Sequence, residues 1–138
     1  MRRGAVHHVD LTVKSPEASR PFYEAVLGFM GYRVADVYEH GFDMDLRDES
    51  GALVASIGVL KARGDRAQRL HDRYSPGLHH IAWAAESRAD VEAMHALLQR
   101  IGANILDAPA EYPRYGPGYY AVFFADPDGL KFEYVYKP

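Results

Sequence analysis

Ala125 to Gly129 followed by Leu130 to Tyr136 (ADPDGLKFEYVY, residues 125–136) is the stretch whose reading decides the fold. Asp126-Pro127-Asp128-Gly129 has the chemistry of a tight turn. Proline presets one backbone dihedral, the aspartates bond the local backbone, and glycine takes a positive φ. The run after it is aromatic and β-branched, which is the composition of a strand. Its one acidic residue, Glu133, stands in the middle. A carboxylate there is costly unless it meets water, a cation or a metal.

Working backwards, the turn has an earlier counterpart in Asp48-Glu49-Ser50-Gly51, which also leads into a strand, Ala52 to Leu60. Val6 to Val13 (VHHVDLTV) alternates: Val9, Leu11 and Val13 on one face, His8, Asp10 and Thr12 on the other. Ser15 is placed to cap a helix with Pro16 in its first turn, carried by Ala18 to Leu27 and stopped by Gly28 and Gly31. Tyr32 to Glu39 and Phe42 to Arg47 read as the next two strands. Lys61 to Ser75 is a polar connector with room for a short helix over Ala67 to Tyr74. The opening pattern then returns in Leu78 to Ala85 (LHHIAWAA), followed by a helix over Ala89 to Arg100 capped by Ser87. A strand at Ile105 to Ala108, a loop from Glu111 to Gly118 and a strand at Tyr119 to Ala125 lead to the turn where this reading began.

Aligning His8 with His80, Gly31 with Gly102 and Gly51 with Gly129 makes the second half a longer copy of the first. The expected fold is α+β: two βαβββ modules forming a curved mixed sheet around a central cup. Module one covers about residues 5–60, the connector about 61–76 and module two about 77–138, within one domain, as 138 residues suggest.

Composition narrows the function classes. With 48% apolar and 25% charged residues and a net charge of −3, the chain has an ordinary globular balance and no basic surplus for nucleic acid or an anionic membrane. The absence of cysteine removes disulfides, thiolate metal sites and a cysteine nucleophile. The N-terminal MRRGAVHHVD lacks the apolar run of a signal peptide, and no stretch reaches the ~20 apolar residues of a membrane span. The expected location is the cytoplasm. No glycine-flanked serine and no phosphate-cradling glycine loop occurs.

Parity selects His8 over His7 on the first strand, and by the same register His80 in the second module. Two imidazoles and the Glu133 carboxylate form a facial ligand set that leaves positions on an ion open. Iron, manganese, nickel and zinc all suit such a set. Tyr112, Arg114, Tyr115, Tyr119 and Tyr120 cluster in EYPRYGPGYY (residues 111–120). Arg114 and Tyr115 are the functional candidates there, able to orient an oxyanion or an aromatic substrate or to donate a proton, while the others read mainly as rim aromatics. Asp43, Asp45 and Arg47 read as the wet face of the third strand, His40, His71 and His95 as structural or solvated, and Trp83 as core.

HHVDLTV with PFYEAVLGF, then LHHIAWAA, then FFADPDGLKFEYV, resembles the vicinal oxygen chelate superfamily of glyoxalases, bleomycin resistance proteins and extradiol dioxygenases, over nearly the whole chain. The resemblance implies the paired βαβββ fold, a homodimer, a small-molecule substrate and one divalent metal ion held by His8, His80 and Glu133. It also exposes a departure. Glyoxalase I has a further glutamate on the last strand of its first module, where this chain has Val54 to Gly58 (VASIG). Two readings stay open: a metal-dependent lyase or isomerase, dioxygenase or transferase that chelates vicinal oxygens, and a metal-free protein that binds a small molecule. A non-catalytic subunit is a third.

Overall fold

The structure is a computed structural model that describes residues 1–138. It divides into two compact units, Met1–Arg69 and Leu70–Pro138. In the first, β1 (His8–Val13), α1 (Pro16–Phe29), β2 (Arg33–Tyr38), β3 (Gly41–Arg47) and β4 (Leu53–Lys61) form a four-stranded sheet in the order β1-β4-β3-β2. In the second, β5 (Ile81–Ala84), α2 (Arg88–Arg100), β6 (Asn104–Glu111), β7 (Tyr120–Ala125) and β8 (Lys131–Tyr136) repeat that order as β5-β8-β7-β6. Each unit is a βαβββ module whose sheet is open and mixed, its first strand lying parallel to its last. The duplicated α+β architecture is the one the internal repeat implies.

Each helix begins where its cap predicts. Ser15 accepts the amide of Ala18 and Ser87 that of Asp90, satisfying donors the first turn leaves open. The apolar faces of α1 (Phe22, Tyr23, Val26, Leu27) and α2 (Val91, Met94, Leu98) are buried. In the first unit Leu11, Val13, Ile57 and Val59 are buried on alternate strand positions, which leaves His8 and Asp10 on the opposite face of β1. In the second, Phe124 and Phe132 lie 5.9 Å apart, Trp83 meets Phe132 edge-on at 5.1 Å, and Tyr134 donates to Asp90 of α2 at 2.6 Å. By the same alternation Lys131 and Glu133 share the face of β8 away from α2.

Three local expectations need correcting. The connector has no helix over Ala67 to Tyr74; it folds as successive turns, such as Ala67 to Gly64 and Ser75 to Asp72. So short a segment with no apolar face cannot offset helix nucleation, and the Asp72 side chain bonds the Tyr74 amide and the Ser75 hydroxyl instead. The strand after His80 is shorter than Leu78 to Ala85, so the second histidine pair immediately precedes β5. The strand placed at Ile105 to Ala108 extends to Glu111 and includes Pro109, which is tolerated because β6 is an edge strand with register shifts around Asp107. His71 is structural: its amide donates to Asp128 and its Nε2 lies 2.8 Å from the carbonyl of Leu78, tying the connector to the DPDG turn.

Phe132 is 1% exposed at the centre of the second unit's core. Phe132→Ala is expected to cost about 3–5 kcal/mol of stability, read from the midpoint of urea unfolding, with little loss if that core closes over the void.

Candidate functional site

Glu133 lies on β8 between Phe132 and Tyr134 and its side chain is only 3% exposed. Both carboxylate oxygens are met. The Tyr119 hydroxyl donates to Oε1, and the Nε2 of His80 lies 3.1 Å from Oε2. The sequence separates these groups, and sheet pairing gathers them: β8 runs beside β5, with Ala82 opposite Glu133, so His80 at the mouth of β5 reaches the same face. Tyr119 enters from the segment just before β7. Phe123 of β7 pairs with Glu133 in register and its ring closes on His80 at 6.4 Å.

A cavity of about 450 Å³ opens over this pair, a size that suits a small molecule. Its walls include Tyr112, Arg114, Tyr115 and Tyr119 from the segment between β6 and β7, with Phe123 and Lys131 from the sheet. Tyr112 and Tyr115 are stacked at 5.9 Å. Arg114 lies 4.7 Å above the Tyr115 ring and donates to its hydroxyl oxygen at 2.8 Å. That hydroxyl accepts a bond there, so its own hydrogen is left to give. Tyr120, grouped with these residues by sequence, turns to the helix side and donates to Glu92.

The cavity biases proton positions. Burial, the hydrogen bond to Glu133 and the charge of Glu133 together push the Tyr119 phenol well above its ordinary value. Burial, with Asp107 and Glu133 nearby, raises Tyr112 in the same direction. His79 is held below the usual imidazole value by desolvation and by the neighbouring His80, Lys131 and Arg73. Its Nδ1 lies 2.7 Å from the Nδ1 of His80, so one of the two rings supplies the proton they share. With the His80 proton on Nε2, directed at Oε2, His79 is the donor of the Nδ1 contact.

The His80–Glu133 separation is that of a hydrogen bond, and it is also compatible with two ligands of one ion. With bonds of about 2.1 Å at a right angle, neighbouring donor atoms sit about 3.0 Å apart, close to the observed His80–Glu133 separation. Tyr119 on the other oxygen leaves Oε2 as the binding atom. An imidazole and a carboxylate are donor types that suit a divalent cation, and they make two of the three ligands of a facial set. Within either unit no three histidine, aspartate or glutamate side chains gather to hold an ion.

His8 lies in the first unit, in a cavity lined by His7, Asp10, Tyr38, Asp43, Asp45, Leu53 and Ser56. The histidine contact recurs there, with the Nδ1 atoms of His7 and His8 3.0 Å apart. Register explains the absent carboxylate of VASIG. His8 pairs with Ser56 and Asp10 with Gly58, so Gly58 occupies the place that Glu133 has in the second unit, and Asp10 the place of Ala82. Acid and small residue have traded strands. A Cβ at Gly58 would fall 2.3 Å from Oδ1 of Asp10 and 3.0 Å from Oδ1 of Asp43, so a side chain there requires Asp10 to move. Asp45 pairs with Arg47 at 2.6 Å and Tyr38 donates to Asp43, which suits a wet face.

The sequence reading missed Phe123, Lys131, Asp107 and the contact made by His79. Parity alone places Lys131 beside Glu133, two residues away on one strand. The other three depend on register and loop path, which the sequence does not carry.

Residues 5–134 match the family model described as the Glyoxalase/Bleomycin resistance protein/Dioxygenase superfamily. The uncharacterised protein YqjT of Bacillus subtilis (strain 168) is 32% identical over 130 residues, covering 94% of this chain and 97% of that protein. A putative glyoxalase from Bacillus halodurans superposes with a TM-score of 0.79 at 27% identity, covering 98% of this chain and 97% of that one. The lactoylglutathione lyase of Agrobacterium tumefaciens shares the fold, with a TM-score of 0.67 at 16% identity over 99% of this chain and 96% of its own. No helix is long and apolar enough to cross a membrane.

Two outcomes follow from the geometry. In Glu133→Gln the negative charge beside Tyr119 is gone, so that phenol should ionise at lower pH, seen as an earlier rise of tyrosinate absorbance on alkaline titration. The sign for stability is fixed by the raised value: Tyr119's contribution is whole below about pH 10 and is lost as pH climbs through its folded-state pKa. An unchanged titration in Glu133→Gln would contradict the contact. Separately, Gly58→Ala should destabilise the chain, and Asp10→Ala should relieve much of that loss in the double variant, measured by urea unfolding as a double-mutant cycle.

Proposed function

The chain belongs to the glyoxalase, bleomycin resistance protein and dioxygenase superfamily, and from that premise we propose that it is a metal-dependent enzyme acting on a small substrate with two adjacent oxygens. The observation that carries the proposal is the His80–Glu133 pair, spaced as neighbouring ligands and closed off from solvent on the Glu133 side. His80 and Glu133 would hold one divalent ion of the iron, manganese, nickel or zinc type, with His8 as the third ligand. When bound, such an ion supplies Lewis acidity toward the paired oxygens of a substrate.

The chain's own residues have separate tasks. Tyr119 fixes the rotamer of Glu133 and stays protonated through the neutral range, so Oε1 remains occupied. His79 holds the His80 ring in place through the Nδ1 contact. Tyr112, Tyr115 and Phe123 form an apolar wall that displaces water from one side of the substrate. Arg114, bonded to the Tyr115 oxygen, leaves the Tyr115 hydrogen directed by that bond and ready for donation to a substrate oxygen. Arg114 and Tyr115 are thus the proposed catalytic pair, and their chemistry is positioning and proton donation.

A second reading has its own support. His80 and Glu133 satisfy one another as a direct hydrogen-bonded pair, and the surrounding wall is aromatic, as in a metal-free site that captures a flat molecule. Metal analysis of untagged protein separates the two. Near-stoichiometric metal is expected, with affinity falling more than about 100-fold in His80→Ala and Glu133→Ala. Tyr119→Phe should lose about 10–100-fold, the range for residues that orient a ligand. Folded protein that takes up no divalent metal, while binding an aromatic ligand, would favour the capture reading.

A further inference from the structure

Glu133 and Asp107 are the acids of the cavity, and Arg114 and Lys131 are its fixed cations. Their circumstances differ. Glu133 is buried and engaged at both oxygens by Tyr119 and His80. Asp107 is close enough to Tyr112 to raise its phenol. Neither cation has a carboxylate within ion-pair distance, because the chain's Lys and Arg pairs with acids involve Arg20, Arg47 and Arg88. Each is instead laid over an aromatic ring of the wall: Lys131 Nζ lies 4.7 Å from the centre of Phe123, and Arg114 lies 4.7 Å from that of Tyr115. Resting on Phe123 leaves the Lys131 ammonium donors open to a further partner, and Arg114, which gives one donor to the Tyr115 oxygen, has others left.

The rings define the rest of the partner's shape. Tyr112 and Tyr115 are stacked, with Tyr112 edge-on to both Tyr119 and Phe123, at 6.4 and 5.4 Å. Such a wall favours a flat, apolar body. Two cations without acidic partners, over a floor whose carboxylate is already satisfied, favour negative charge on it. We propose that the ligand of this cavity is a planar organic anion, of the class of a single ring bearing a carboxylate. Its charge is taken by Arg114 and Lys131 and its ring lies against the tyrosine–phenylalanine wall. This rests on the cavity over Glu133 being the substrate site, and it adds Lys131 as a residue that selects substrate by charge.

The test uses the full chain stripped of metal, titrated with benzoate, with its neutral counterpart benzamide, and with cyclohexanecarboxylate, which has the charge without the flat ring. Calorimetry reads the affinities. Benzoate should bind at least about tenfold tighter than either comparator. The affinities of the two anions should weaken as salt rises, while that of benzamide should not. The preference for benzoate over benzamide should close in Lys131→Met with Arg114→Met, at unchanged circular dichroism. Equal binding of benzoate and benzamide, no binding of either, or a preference that survives in the double variant would overturn the proposal. Metal uptake is scored on the same samples, so the two failures are distinct. Absence of anion preference in an unmutated chain that does take up metal refutes only the substrate class. Anion preference without metal uptake refutes the metal-dependent reading and leaves this one standing.

Discussion

Glu133 is an ionisable group placed in the middle of an apolar strand, and its side chain has almost no contact with water. A carboxylate withdrawn that far carries a large desolvation cost, and the structure around it is arranged to meet that cost. Tyr119 supplies a hydroxyl to one oxygen and His80 an imidazole nitrogen to the other. Phe123, paired with Glu133 across the sheet, screens it further. A buried acid held this way gains fixed geometry: one oxygen occupied, the other facing a histidine at the spacing of neighbouring metal ligands. The aromatic segment between β6 and β7 then makes that pair the floor of a cavity.

The duplicated architecture clarifies why the acid stands where it does. Both units place a histidine at the mouth of the first strand, next to a second histidine in Nδ1 contact. Both set the last strand parallel to the first. The units diverge at one pair of register positions. In the second, a glutamate on the last strand faces alanine; in the first, a glycine on the last strand faces Asp10. Where the resemblance to glyoxalase I implies a first-module glutamate, this chain has Gly58 with the Asp10 carboxylate packed against it.

Much of this was legible in the sequence because it rested on alternation and turn chemistry. His8, Asp10, Lys131 and Glu133 follow from parity on short strands, the helix starts from Ser15 and Ser87, and the final strand from the Asp126–Gly129 turn. The repeat of histidine pair, helix and glycine-ended turn gave the duplicated fold. Other features were not legible. The 111–120 segment reads as five aromatic or cationic residues of one kind, yet Tyr119 turns to Glu133 while its neighbour Tyr120 turns to Glu92 on the helix face. Only strand register fixes which goes where. The connector failed for the opposite reason: local side-chain bonds from Asp72 outcompete a helix that has no face to bury. His80 and Glu133 are brought together within the second unit, whereas the inclusion of His8 rests on the repeat.

The central claim is that His80 and Glu133 bind one cation side by side, and X-ray absorption on the cobalt-loaded full chain tests it most directly. The predicted spectrum has a first shell of nitrogen and oxygen near 2.1 Å, with imidazole multiple scattering that falls by one ring in His80→Ala. A shell and scattering pattern unchanged by His80→Ala would contradict the account, as would cobalt that does not load at all.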